Sequence, residues 1–427
     1  MRIRRLLDLV VVTLSLLLVL GVVLSCGSIN NVAFAQEKKI TFLLWNWDSP
    51  VQGQEFTKRV EIFEKQTGVT VEIQHVAWNE LAEKLRVVSL AGNPPDVVMT
   101  RNADYAWLAK GGILMDITSR ADTDKEINLE DFNTLGELRL DGKLYALPVR
   151  RGGPNLVYNA DLLKKVGIYY PPNTLAEVKE YAERVTKGID GVYGYGLILG
   201  ASGPFSNRWQ SAFYSYGGEW LNKDGTDVAS SFEEAALEAY KFYQDMAKFS
   251  PPTALSDDND DAARLGATGK VAMWRDDTAV VTKLANLCSE EILKNIKYAI
   301  HPEGKYDPET NTSYRYTAVG GWNIVISAGS HNPEAAWEFM KFWASSENIA
   351  EVSYGIPDRK SALDAPRFAA IPEAFKEAQA KTVLTMPWAE ELNNLIFENT
   401  QKIVLGKLSL EQATKLTVEK IRELLNK

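Results

Sequence analysis

Residues 39–100 alternate short apolar runs with amphipathic stretches, and this alternation constrains the fold more than any other feature of the chain. Residues 39–45 read as a buried strand, and residues 55–66 have helical spacing that stops at Gly68. A second strand is expected at 69–75 and a second amphipathic helix at 78–90, broken by Gly92-Asn93-Pro94-Pro95 before a third short strand at 96–100. Strand–helix–strand–helix–strand at this spacing predicts an α/β fold whose parallel sheet is covered by helices. Ligands of such sheets sit at the carboxyl ends of the strands. That rule directs attention to the loops around Trp47, Trp78 and Arg101. A chain of 427 residues is too long for one ordinary core, so two lobes are expected.

The middle of the chain changes character. Residues 143–149 read as a short strand, and Arg150-Arg151-Gly152-Gly153-Pro154 as a segment crossing between lobes. Asn173-Thr174 followed by Glu177 has the spacing of a capped helix start, with the helix running to about Thr186. Residues 232–249 form a long amphipathic helix ended by Pro251-Pro252. At 331–346 Pro333 suits a first helical turn, and Ala336, Phe339, Met340 and Trp343 share one face. A final helix follows Ser409.

The N-terminus is an export signal in form. Arg2, Arg4 and Arg5 precede an almost purely apolar run at 9–24, shorter than a comfortable membrane span. Two processing sites compete: Ala33-Phe34-Ala35 before Gln36 suits a signal peptidase, whereas Val23-Leu24-Ser25-Cys26 resembles a bacterial lipobox in which Cys26 carries the lipid. Apart from Cys26 the only cysteine is Cys288, so a chain lipidated at or trimmed past Cys26 has no intrachain disulfide and relies on its cores. The net charge of −9 makes nucleic acid an unfavourable partner.

Several segments, in this order, resemble the extracellular solute-binding proteins of bacterial ABC importers that include maltose- and other carbohydrate-binding proteins. They are Pro95-Asp96-Val97-Val98 with Gly111-Gly112-Ile113-Leu114, Asp141-Gly142-Lys143-Leu144-Tyr145 as a first crossing, Asn155-Leu156-Val157-Tyr158-Asn159, and Pro171-Pro172-Asn173-Thr174. Gly269-Lys270-Val271-Ala272-Met273 resembles the second crossing and Gly320-Gly321-Trp322, with Glu334-Ala335-Ala336-Trp337, the third. The resemblance implies a two-lobed periplasmic-binding-protein fold of type II with three crossings, a ligand cleft between the lobes and hinge closure recognised by a membrane permease. It places residues 1–35 in the signal and export linker, 36–150 plus 276–319 in lobe I, and 151–275 plus 320–427 in lobe II.

Sugar sites combine an aromatic face against the C–H face of a pyranose with planar polar groups around the ring. The chain has eleven tryptophans. Trp45, Trp337 and Trp343 lie in strand or helix patterns and are read as core. Lobe I cleft candidates are Trp47, Asp48, Trp78 and Asn79, followed by Arg101, Asn102 and Asp104, which also suit solvated or capping roles. In the second half they are Asn207, Trp209 (where the resemblance implies a sugar platform), Trp274, Asp276 and Trp322. Arg359 is read either as a cleft-lining residue or as part of a surface ion pair.

No catalytic residue, metal ligand or cofactor is expected. His75, His301 and His331 are scattered, there is no H-E-x-x-H, phosphate loop or G-x-S-x-G elbow, and Asp257–Asp261 lacks the turn glycine and closing glutamate of a calcium loop. The reading is therefore a monomeric exported binding protein that takes a sugar or oligosaccharide and delivers it to the transmembrane subunits of an ABC permease, touching the membrane only through a lipid on Cys26. One alternative ligand is a glycerol-phosphate ester, polyol or other acidic solute, which demands that Arg101, Arg150, Arg275 or Arg359 converge. The remote alternative, a secreted glycosidase, demands two opposed carboxyl groups.

Overall fold

The computed structural model describes residues 38–45, 50–77, 80–200, 202–352, 355–368, 371–376 and 379–426. Strands β1 (Lys39–Trp45), β2 (Thr70–Val76) and β3 (Val97–Arg101) pair in parallel with β1 in the middle. A small hairpin, β4 (Arg139–Leu140) and β5 (Lys143–Leu144), leads into β6 (Ala146–Gly152). Strands β7 (Asn155–Asn159), β8 (Tyr193–Gly196), β9 (Val271–Asp276) and β10 (Ile296–Ala299) form a second sheet in the order β10-β7-β9-β8. After a hairpin of β11 (Lys305–Asp307) and β12 (Thr312–Tyr314), the long strand β13 (Tyr316–Ile326) rejoins the first sheet. Strands β14 (Ile356–Pro357) and β15 (Gln379–Thr382) complete it; its order is β14-β6-β13-β3-β1-β2, with β15 beside the start of β13.

The chain is an α/β protein of two lobes, each with its own core. Strand β1 is an almost continuous apolar run because helices cover both faces of the parallel sheet. One cover is helix Pro333–Trp343, whose Phe339 and Trp343 meet Phe42 edge-on at 5.0 Å. The expected capping box of Thr174 and Glu177 opens helix Leu175–Gly188, and Ser409 opens the last helix in the same way with Gln412. Asp257–Asp261 is not the solvated loop its composition suggests. Asp258 and Asp261 cap helix Asn259–Ala267.

Strand β13 belongs to both lobes. Tyr316–Val319 pair with β15, whereas Gly320–Val325 pair with β6 and Trp322–Ile326 with β3. Along its lobe II half, helix Ser202–Ser215 stands in for a strand: Ser211 and Ser215 hydroxyls accept the N–H groups of Ala318 and Tyr316 at 2.8 and 2.9 Å. The three crossings are the β6-to-β7 link, β13, and the chain between β14 and β15. The first two run so close that two positions admit no side chain. A Cβ on Gly153 would lie 2.2 Å from the Thr317 methyl, and one on Gly321 would lie 2.7 Å from the Arg150 carbonyl oxygen.

This arrangement corrects the expected lobe boundaries. Residues 276–319 belong to lobe II, because β10 pairs with β7 and Leu175 donates its N–H to the Glu303 carbonyl. Residues from Gly320 to Val352 return to lobe I, whose core holds Ile324, Phe339 and Val352. The chain rejoins lobe II from helix Glu373–Lys376 onward: Phe375 packs on Tyr298 at 5.6 Å, and Leu392, Ile403 and Ile421 are buried. Gly269–Met273 is not a crossing. The positive φ of Gly269 turns the chain into β9, which lies inside lobe II between β7 and β8.

Lobe II hides a cation without a carboxylate partner among the described residues. Arg275, 2% exposed, donates to the hydroxyls of Tyr195 and Tyr243 at 3.0 and 3.1 Å and to His301 Nε2 at 2.9 Å. His301 Nδ1 then carries the hydrogen, donated to the Pro302 carbonyl at 2.9 Å, while the His301 N–H donates to Asn155 Oδ1. Burial, then the Arg275 charge, holds the His301 pKa well below its ordinary value. The unfolded chain takes up a proton that the folded one refuses, so this part of the stability is present at neutral pH and lost as pH falls below the ordinary histidine range. Urea titrations of the wild type and His301→Gln should therefore differ in slope: on acidification from pH 7 to 5 the wild type loses up to about 1.4 kcal/mol per pH unit more than the variant. Parallel profiles would contradict a neutral His301.

Candidate ligand cleft

The carboxyl ends of β1, β3 and β6 all point toward the crossings, since β13 runs antiparallel to both β3 and β6. They deliver Trp45, Arg101 and Arg150 to one edge of lobe I, where parallel sheets hold their ligands. Trp322 on β13 stands in register with Arg101 on one side and Arg150 on the other. Its ring lies on that of Trp45, centroids 4.1 Å apart and tilted by 34°. Trp45 is buried and Trp322 half-buried, so Trp322 is the member of the pair that reaches the surface.

Around this aromatic floor the polar residues are already organised. Arg101 grips Asp104 with Nε and Nη2 at 2.6 and 2.8 Å, a bidentate pair that fixes the guanidinium plane. Asn102 is buried, and its Oδ1 accepts from Asn323 Nδ2 at 2.7 Å, tying the start of helix Asn102–Lys110 to β13. Asn207, half-buried on helix Ser202–Ser215 of lobe II, brings its Nδ2 within 3.3 Å of the position of a Cβ on Gly320. Arg101, Asp104, Trp322 and Asn207 thus come together around the crossings.

Other sequence candidates lie elsewhere. Trp209 does not present a platform. It is 1% exposed and stacked on Phe213 at 5.4 Å, with Tyr240 at 5.2 Å and Trp220 at 6.1 Å. Helical geometry explains this, because Phe205, Trp209, Ala212 and Phe213 share the core-facing stripe. Trp274 is wholly buried in β9, packed so tightly that a Cβ on Gly266 would lie 2.3 Å from its ring. Asp276, 2% exposed, pairs with Arg208 at 3.1 Å and accepts the Trp274 indole N–H at 3.3 Å. Burial, opposed by Arg208, pushes its carboxyl up to about 6. Arg359 is neither a cleft residue nor a surface pair. It is 5% exposed, lies 4.0 Å above the Phe132 ring and bonds Asp131 at 3.1 Å and the carbonyls of Ala344 and Ile127 at 2.5 and 2.7 Å. Trp47, Asp48, Trp78, Asn79 and Cys26 lie outside the described residues.

Of the arginines that an acidic ligand could use, Arg101 and Arg150 stand on either side of Trp322, whereas Arg275 and Arg359 are buried in the interior. Sequence reasoning also passed over Trp388, at the start of helix Ala389–Val404. Trp388 is half-buried against the lobe II core, and the helix packs on helix Asn102–Lys110 of lobe I. The signal was present as Met386-Pro387-Trp388 ahead of an amphipathic run, a proline-marked helix start led by an exposed Met386.

Residues 47–350 match the family model for bacterial extracellular solute-binding proteins. A putative binding protein of Brucella abortus is 28% identical over 398 residues, spanning 90% of this chain and 92% of the relative. The diacetylchitobiose binding protein DasA of Streptomyces coelicolor is 26% identical over 344 residues, 75% of this chain and 74% of its own. Among solved structures, the GacH receptor of Streptomyces glaucescens, determined unliganded and with acarbose, superposes with a TM-score of 0.78 at 24% identity, covering 91% of this chain and 98% of that one. The family match takes in strands of both lobes, the first crossing and the β13 edge that carries Trp322. The chain belongs to the bacterial extracellular solute-binding protein family, the exported, non-enzymatic binding components of ABC importers.

Proposed function

We propose that the chain binds a sugar or oligosaccharide between its lobes and hands it to an ABC permease when the hinge closes. The observation that carries this reading is the Trp45–Trp322 stack at the carboxyl ends of the lobe I strands, flanked in register by Arg101 and Arg150. An indole floor covers the apolar face of a pyranose, and fixed planar donors and acceptors at its rim meet the hydroxyls. Relatives named for diacetylchitobiose binding and crystallised with acarbose support a carbohydrate ligand. Closure follows if the ligand touches both lobes, because only differential contacts shift the open–closed equilibrium. Asn207 and Trp388 are the lobe II groups that face this requirement. Trp47, Asp48, Trp78 and Asn79 are proposed as further ligand contacts on the sequence argument alone.

The finer parts of the reading are a monomer and anchoring by a lipid on Cys26, which directly follows the apolar run. Mass spectrometry of the mature N-terminus after export checks the anchor. An acylated Cys26 is expected, and a chain starting at Gln36 would contradict it.

A thermal-shift screen of the exported protein against mono- and oligosaccharides, polyols and glycerol phosphates tests the ligand class. A ligand at about 100 times its Kd adds roughly 2.7 kcal/mol. Stabilisation by one carbohydrate class, unchanged by chelator, is expected; stabilisation by phosphate esters alone would contradict the sugar reading. Two tryptophan variants then separate site from core. Trp322→Ala is expected to weaken the selected glycan by at least about tenfold while melting within a few degrees of the wild type. Trp209→Ala should lower the unfolding free energy by about 3–5 kcal/mol and leave the affinity of the folded fraction unchanged. The reverse pattern would return Trp209 to the cleft.

A further inference from the structure

The three crossings line a small cavity at the back of the hinge. Arg151 contributes from the first crossing, Thr317 and Val319 from β13, Ile356 and Phe375 from the third crossing, and Asn155 from the start of β7. Neighbouring residues on a strand take opposite faces, and Trp322 stands in register with Arg150, so Arg151 turns away from the indole floor. The cavity has a volume of about 20 Å³, enough for one water molecule or one monatomic ion. A carboxylate, phosphate or sugar does not fit.

The polar side chains on this wall offer hydrogens. Asn155 is 1% exposed, and its Oδ1 accepts the His301 N–H at 2.9 Å and the Thr317 hydroxyl at 3.1 Å, which fixes the orientation of the amide. Its Nδ2 then has no acceptor among the described residues. Arg151 Nε is buried and likewise has no acceptor among them. Asp358, just beyond Ile356, feels the Arg151 charge but accepts instead from the Asn133 and Thr134 N–H groups and the Thr134 hydroxyl of lobe I. Water must donate as well as accept, whereas a halide only accepts, and a guanidinium adds its charge to the hydrogen bond.

We propose that this cavity is a halide site, taken by chloride, in which Arg151 Nε and Asn155 Nδ2 donate to the ion while Val319, Ile356 and Phe375 shield it from solvent. Because the wall is drawn from all three crossings, the ion holds them at one spacing. The site lies on the opposite face of β13 from Trp322 and does not depend on what the cleft binds.

Crystals of the exported protein grown in sodium bromide test the site directly, because bromide scatters anomalously at its absorption edge and water does not. A peak is expected in the cavity, between Arg151 Nε and Asn155 Nδ2. In solution, replacing sodium gluconate by sodium chloride at constant ionic strength should raise the melting temperature saturably, by about 2–4 °C. Arg151→Met keeps the stem and loses the donors, and Asn155→Asp keeps the acceptor for His301 and Thr317 while placing a second oxygen toward the ion. Each should lose the bromide peak and the chloride-specific rise, and if one fails to fold, the other and the wild-type map still decide. A wild-type cavity without anomalous signal would overturn the proposal. So would equal melting temperatures in chloride and gluconate, or a chloride response that survives the substitutions.

Discussion

The architecture depends on one strand being shared. Strand β13 is hydrogen-bonded into lobe I through β3 and β6 and into lobe II through β15 and two serine hydroxyls, with no loop between its halves. Its centre is Gly320-Gly321, paired with Gly152 and Arg151 of the first crossing and, at Gly321, close to Asn102 of lobe I. Side chains there would separate the crossings by more than the ladder allows. The crossings therefore meet backbone to backbone, in a place where backbone torsion is the softest motion available. Trp322 follows this glycine pair directly, so the aromatic floor sits next to the axis about which the lobes bend. A ligand on that floor lies close to the hinge and within reach of both walls.

The buried cations around the hinge are internally satisfied. Arg101 is gripped by Asp104, Arg208 by Asp276, and Arg275 by two tyrosines and a neutral histidine. Each buried cation has a partner within its own lobe, which lets the lobes move as rigid bodies without exposing an unpaired charge. Rigid interiors of this kind suit lobes that open and close by hinge bending.

Much of this was legible in the sequence, for identifiable reasons. The βαβαβ start was readable because fully buried parallel strands are uninterrupted apolar runs and their covering helices are amphipathic; β1 falls at Lys39–Trp45 as the pattern predicts. The capped helix at Thr174 and the proline-opened helix at Pro333 carry their own local signals. The lobe boundaries were not readable. Strand β13 has the same glycine-rich composition whether it enters lobe I or leaves it, and pairing direction is a non-local property. Tryptophan roles divided in the same way. Trp322 was separable by its place beside two glycines on a crossing, whereas Trp209 looks polar in its linear neighbourhood, Ser206-Asn207-Arg208-Trp209-Gln210, and is apolar only on the helical face that it shares with Phe205 and Phe213. Arg359 was misread because its acceptors are main-chain carbonyls from residues more than two hundred positions away as well as from Ala344, and backbone acceptors leave no trace in composition.

The central claim is that a carbohydrate bound at the Trp322 floor draws the two lobes together about β13. Small-angle X-ray scattering of the exported protein, with and without a saturating glycan chosen by the thermal screen, measures this most directly. The account predicts a smaller radius of gyration on binding, lost in Trp322→Ala at the same glycan concentration. Saturable glycan binding with an unchanged radius of gyration would place the ligand on one lobe and contradict the account.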